Sequence, residues 1–232
     1  MDEASSKEVR HVPNTPLIIF DFDGTVALGD GPVRAYAREA ARAASDPEAF
    51  LAQVESGLRP AASTAEQPLD AYDVIRIVAD EAGLSADALS RAYLDSRALL
   101  GTEAAPVAAP IGLAELAVRL PAECILVTNA PAVRIAETLA TLGLDDAFSR
   151  IVTDARKPDG LARLLDEPAV SGRRVLAVGD IWRNDLAPAH ARGLDTALVG
   201  EFVDPAATPT FRAPTLAELL PRLETWAAAS GS

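Results

Sequence analysis

Residues 17–25 read Leu-Ile-Ile-Phe-Asp-Phe-Asp-Gly-Thr, an apolar run of strand length that ends in two carboxylates, Asp21 and Asp23, separated only by Phe22. An uninterrupted apolar run suits a strand covered on both faces, as in a parallel sheet. Alternate side chains of a strand share a face, so Asp21 and Asp23 would project toward one spot if the chain stayed extended through residue 22. Two adjacent anions repel each other unless a cation or a proton lies between them. The pair therefore demands an explanation that ordinary strand ends do not.

The rest of the chain alternates in a way that places this strand in a sheet. After Pro110, helical patterns at 111–120, 131–142, 159–166, 184–192 and 215–228 alternate with apolar stretches at 125–128, 150–152, 175–178 and 196–199. This rhythm predicts an α/β fold, a Rossmann-like doubly wound parallel sheet with helices on both faces. Residues 30–105 have a different texture, rich in alanine and without a convincing strand. Helical patterns fit 47–57, 70–82 and 86–100, and Asp30-Gly-Pro32 starts another helix, with Pro32 suited to the first turn. The domain reading follows: residues 1–16 as a flexible arm, 17–29 and 106–232 as the core, and 30–105 as an inserted helical unit. The stretch 59–68 reads as a loop and 102–110 as a hinge or linker.

Charge and composition exclude several classes of partner. The net charge is −13, which disfavours nucleic acid and anionic membranes and would repel a phosphorylated ligand at long range. Such a ligand would need local positive groups. Lys7 and Lys157 are the only lysines in a chain that otherwise uses arginine. No apolar run approaches the ~20 residues that span a bilayer, and the polar N-terminus lacks the apolar stretch of a secretory signal. A single cysteine, Cys124, opens an apolar run and reads as core. A cytoplasmic location is the expectation.

In open α/β sheets, ligands bind outside the carboxyl ends of the strands. Those ends carry Asp21, Asp23, Gly24 and Thr25; Thr128 and Asn129; Arg156, Lys157 and Pro158; and Gly179, Asp180, Asn184 and Asp185. Carboxylates, a hydroxyl and an ammonium on one rim suit phosphoryl transfer assisted by Mg²⁺, which takes oxygen ligands. Asp21, first at its strand end, is the candidate nucleophile. Asp23 is the candidate acid and base. Thr128 and Lys157 are candidates for holding the phosphoryl group. An acid in a helix's first turn also favours the helix dipole, an alternative role for Asp185, and Asn184 can serve as a cap. Trp182 either walls the site or packs. Phe22 and Trp226 read as core, and His11 and His190 have no partner ligand in the sequence.

The segments FDFDGT, VTNAP, RKPDG and GDIWRND resemble, in order, the four signature motifs of the haloacid dehalogenase-like hydrolase superfamily. The resemblance spans about 17–200. It implies an aspartyl-phosphate mechanism with Mg²⁺, in which Asp21 is the nucleophile and Asp23 the acid/base. The metal would be held by Asp21, the Asp23 carbonyl and Asp180, with Asp185 in support. Thr128, Asn129 and Lys157 would bind the substrate. The helical insertion looks like this family's cap, which closes over the site and selects substrate. Asp23 argues against the dehalogenase branch, which lacks this acid, and a lysine-free cap argues against the phosphonate-cleaving branch. The absence of a membrane segment argues against an ion pump. The expectation is a phosphatase of a small phosphorylated metabolite, resembling phosphoglycolate phosphatase and β-phosphoglucomutase. A sugar phosphomutase and a non-catalytic binding module are the alternatives. Arg34, Arg38, Arg59, Arg76, Arg91 and Arg97 are the cap's candidate substrate ligands.

Overall fold

The computed structural model describes residues 15–59, 70–200 and 204–229. Six parallel strands form its sheet: β1 Leu17–Phe20, β2 Glu123–Val127, β3 Arg150–Val152, β4 Val175–Gly179, β5 Asp195–Val199 and β6 Phe211–Ala213. They lie in the order β3-β2-β1-β4-β5-β6. The first three progress toward one edge and the last three toward the other, so the chain reverses its winding between β1 and β4. The carboxyl ends of those two central strands flank the crevice where such sheets bind ligands.

β1 shows why its apolar run is unbroken. Ile18 and Phe20 pack on one face, with Leu116 of α5 (Leu113–Arg119), Ile135 and Leu139 of α6 (Ile135–Thr141), and Leu223 and Trp226 of α9 (Leu216–Ala228). Leu17 and Ile19 point to the other face, against Leu161 and Leu165 of α7 (Asp159–Leu165) and Ala189 of α8 (Ala187–His190). Period-2 alternation thus serves two cores at once. Trp226 and Cys124 belong to the first core, as expected. Trp182 lies in the second, with its ring 5.2 Å from that of His190, so it packs and does not wall the crevice.

Four helices follow β1 before the sheet resumes: α1 Gly31–Ala41, α2 Pro47–Gly57, α3 Ala71–Glu81 and α4 Ala86–Arg97. Side chains of Asp46, Asp70 and Ser85 cap the N-termini of α2, α3 and α4. Their apolar faces close a third cluster of their own, centred on Tyr36, Ala40, Phe50, Val54, Ile75 and Val78. The two chain segments joining these helices to the sheet run side by side. Leu28 and Ala108 exchange both backbone hydrogen bonds, at 2.8 and 2.9 Å. Gly31 packs so tightly there that a Cβ would lie 2.2 Å from the Pro106 carbonyl oxygen.

Several boundaries differ from the sequence reading. β1 ends at Phe20, not residue 22, because the chain turns at once: the Val26 and Ala27 amides both donate to the Phe22 carbonyl. The helix expected at 184–192 begins as a π-helical turn, Trp182–Leu186, and only Ala187–His190 is α-helical. The helix expected from 131 starts at Ile135. β6 has no counterpart in the sequence reading, since three residues at a sheet edge carry little pattern. Of the segment 1–16, residues 1–14 lie outside the described residues, and with them Lys7 and His11. Thr15 and Pro16 are tied down, by Arg173 and by the Glu123 amide. The loop expected at 59–68 also falls largely outside the described residues. Among the described residues no helix is long and apolar enough to cross a membrane.

Burial pushes the Cys124 thiol up to about 12. The thiolate is the reactive form, so at pH 8 its population is lower by about three orders of magnitude than for a free cysteine. Dithionitrobenzoate at pH 8 is expected to label the thiol only after unfolding. Rapid labelling of the native protein would contradict this placement.

Candidate active site

Three tight approaches bring the acids of the strand ends together. Asp21 continues β1 by one hydrogen bond, from its amide to the Val178 carbonyl. Gly24, at φ +82°, leaves no side chain where a Cβ would sit 2.4 Å from Asp180 Oδ2. At Gly179 a Cβ would sit 2.4 Å from that of Asp185. The π-helical turn directs Asp185 inward, and its Oδ2 accepts the Ile181 amide at 2.9 Å. Asp21, Asp180 and Asp185 each present a carboxylate oxygen within 4.8 Å of the others.

Lys157 sits at the centre of this acid cluster. Its Nζ donates to Asp21 Oδ1 at 2.5 Å and to Asp185 Oδ1 at 2.7 Å, and its side chain is 4% exposed. Asn129 fixes the lysine's backbone from the neighbouring strand end. Its Oδ1 accepts the Lys157 amide at 2.5 Å and its Nδ2 donates to the Lys157 carbonyl at 3.3 Å. The turn behind the lysine admits no side chain at Gly160, where a Cβ would fall 1.5 Å from the Ala155 carbonyl oxygen. Thr128, 2% exposed, accepts the Ala130 amide on its hydroxyl at 3.0 Å.

The electrostatics leave the cluster short of positive charge. At an effective dielectric near 20, two unit charges 4–5 Å apart interact by roughly 3–4 kcal/mol. Three carboxylates make three repulsive pairs, against which Lys157 supplies two close attractions. Burial and the charges of Asp21 and Asp185 raise the Asp180 carboxyl well above the usual carboxylate range. Burial and Asp21 push Asp185 up to about 6, in spite of Lys157. Asp180 Oδ1 is buried without a hydrogen-bond partner among the described residues. An oxygen-only donor set with one orphaned carboxylate oxygen fits a hard divalent cation.

Asp23 points elsewhere. Its Oδ1 accepts from Arg97 Nη1 at 2.8 Å, and Arg97, the last residue of α4, is 1% exposed. Burial raises the Asp23 carboxyl above its ordinary value, and Asp21 adds to this, while Arg97 opposes both. Removing one partner of a buried pair of this kind costs ~3–5 kcal/mol.

All of these carboxylates, Thr128, Asn129 and Lys157 line one end of a cavity of about 1180 Å³. Helices α1–α4 line the other end. The chain's three tyrosines, Tyr36, Tyr72 and Tyr93, converge there with ring centroids 5.4–6.1 Å apart. Of the six arginines singled out in the sequence, Arg34, Arg59 and Arg76 line the cavity. Arg34 pairs with Asp30 and Glu55, and Arg76 with Asp73. Arg38 instead donates to the Ala104 carbonyl, and Arg97 lies behind Asp23. The tyrosine cluster and the Arg97–Asp23 pair were not anticipated from sequence. The confinement of every tyrosine to residues 30–105 was the one available signal for the former.

Residues 15–193 match the model of the haloacid dehalogenase-like hydrolase family. No curated protein matches the chain. Among solved structures, it is similar to a HAD-type hydrolase from Bacillus subtilis bound to magnesium, at 19% identity and TM-score 0.60, over 90% of this chain and 99% of that one. A HAD phosphatase from Thermococcus onnurineus gives 18% identity and TM-score 0.56, over 90% and 97%. The L-2-haloacid dehalogenase of Xanthobacter autotrophicus gives 19% identity and TM-score 0.54, over 88% and 96%. These structural likenesses establish a shared fold, while the family match extends through the segments that carry the acids and Lys157. The chain is a member of the haloacid dehalogenase-like hydrolase family.

Proposed function

We propose that the protein is a Mg²⁺-dependent phosphatase acting on a small phosphorylated metabolite, with Asp21 as nucleophile and Asp23 as acid and base. The observation that carries this reading is the shared cavity end, lined by Asp21 and Asp23, where Asp21 pairs with a buried lysine. A dehalogenase has no use for a second acid two residues on. A purely binding role would not require Asp23.

The residues divide the work by position. Thr128 and Lys157 hold phosphoryl oxygens, and Lys157 offsets negative charge as it develops. Asp21 attacks phosphorus and becomes an aspartyl-phosphate. Asp23 protonates the departing oxygen, then takes a proton from the water that hydrolyses the intermediate. Asn129 contributes by fixing the backbone of Lys157. Asp21, the Asp23 carbonyl and Asp180 would hold Mg²⁺, with Asp185 in support. The ion supplies charge neutralisation that lets an anionic ester approach an anionic nucleophile. Residues 30–105 serve as the cap over this chemistry, and 17–29 with 106–232 as the catalytic core. The protein is expected to work in the cytoplasm.

Asp21→Asn is expected to abolish release of phosphate from a panel of phosphate esters while leaving the circular dichroism spectrum unchanged. Wild-type rates in that variant would remove Asp21 from the mechanism. A mutase would instead yield an isomerised sugar phosphate and little free phosphate on the same panel.

The metal assignment has a thermal signature. Asp180 and Asp185 have raised values in the fold, so without a cation their contribution to stability is fully present below about 3.9 and is lost as pH rises through each raised value, about 6 for Asp185. Mg²⁺ competes with protons for these oxygens, so its effect grows with pH. At 100-fold excess over Kd it should raise Tm by about 5–10 °C at pH 7.5, and by less at pH 5. Asp180→Asn should lose this rise. An equal rise in the variant would exclude Asp180 as a ligand.

A further inference from the structure

The ion pair between Arg97 and Asp23 joins two residues 74 positions apart, one at the end of α4 and one at the rim of the sheet. Arg97 is among the largest fully buried side chains of the described protein. Burying a guanidinium is costly unless its donors are satisfied. Here only Nη1 is hydrogen-bonded, to Asp23 Oδ1. Nε and Nη2 are buried without a partner among the described residues. The ring of Phe22 lies 5.8 Å from the guanidinium carbon, and Tyr72 and Tyr93 lie close enough to interact with it electrostatically. Phe22 is itself fully buried, between Asp21 and Asp23 in the chain. Two apolar residues in place of such a pair are often as stable or more so, which makes the pair weak evidence of a purely structural role. Arg97 is absent from the cavity wall, whereas Asp23 lines it with a side chain 24% exposed.

We propose that Arg97 is a positioning residue: it grips Oδ1 of Asp23 from behind and so presents Oδ2 to the leaving oxygen of the substrate. This rests on the reading of Asp23 as the acid. In the first step the phosphorus–oxygen bond to the leaving group breaks, phosphorus bonds to Asp21, and the proton on Asp23 passes to the departing oxygen. In the second, water bonds to phosphorus, its proton returns to Asp23, and Asp21 is released with orthophosphate. Arg97 exchanges no proton in either step. It keeps the carboxylate pointed at the cavity through both. Because Arg97 is carried by α4, the acid is aimed from the helical unit, whereas the nucleophile and Lys157 are aimed from the sheet.

The test uses the dependence of rate on the leaving group. Nitrophenolate departs without a proton, whereas phenolate and alkoxides gain from one, and positioned general acids contribute ~10²–10⁴-fold. The full-length enzyme with Mg²⁺ is assayed for kcat/KM, which covers the first step, on p-nitrophenyl phosphate, phenyl phosphate and glycerol phosphate. Arg97→Met is expected to lose at least about 10-fold more on phenyl and glycerol phosphates than on p-nitrophenyl phosphate. Arg97→Lys keeps the charge but not the planar fork, and should show the same bias to a smaller degree. It serves if the methionine variant fails to fold. Losses uniform across the three esters in a folded variant would assign Arg97 a structural role and overturn the proposal, as would no loss at all. Asp23→Asn must show the same bias. If it does not, the acid assignment fails and the proposal fails with it. Wild-type rates in Asp21→Asn would separately mark failure of the phosphatase reading.

Discussion

The shortage of positive charge at the ends of β1 and β4 governs the rest of the molecule. Asp21, Asp180 and Asp185 crowd within 4.8 Å, and one ammonium, that of Lys157, stands among them. A chain of net charge −13 that uses lysine twice has placed one of the two where its compact charge contacts two carboxylates at once. Arginine, broader and planar, would not fit between oxygens converging from separate strands. The glycines at 24, 160 and 179 and the double hydrogen bond from Asn129 read as the scaffolding of this arrangement. Each either lets a carboxylate come closer or fixes the lysine's backbone.

The sheet supplies the rigidity that such crowding requires. β1 and β4 are central strands, apolar on both faces, and they leave their last residues at the winding reversal. Side chains anchored there cannot relax apart without disturbing two cores. The repulsion is therefore stored in raised carboxyl values, and it is available to be relieved by a divalent ion.

The part of this that was legible in the sequence is the part written in neighbouring residues. Apolar runs that stop abruptly at Asp21, Thr128 and Asp180 located the strand ends, and the chemistry is concentrated at those stops. The turn after Asp21 was less legible, because Phe22 and Asp23 continue the strand's alternation although the backbone leaves it. Position 182 was ambiguous for a related reason: a π-helical turn shifts the helical register, so spacing alone cannot say which side chain faces the crevice. Arg97 was one of six equivalent arginines in the sequence. Only its ion pair with Asp23 distinguishes it, and that contact spans too much chain for any local pattern to record. The tyrosines lie on three separate helices, where each reads as an ordinary core residue.

The two connecting segments, bonded to each other at Leu28 and Ala108, carry a mechanical implication. Two independent tethers would let the helices wander in several directions relative to the sheet. A pair bonded to itself acts as one connection, in which displacing either segment strains the other. With Gly31 seated against the Pro106 carbonyl, the connection has no slack at its waist. Whatever enters between tyrosines and carboxylates sits between walls that share one paired strip of backbone rather than two separate threads.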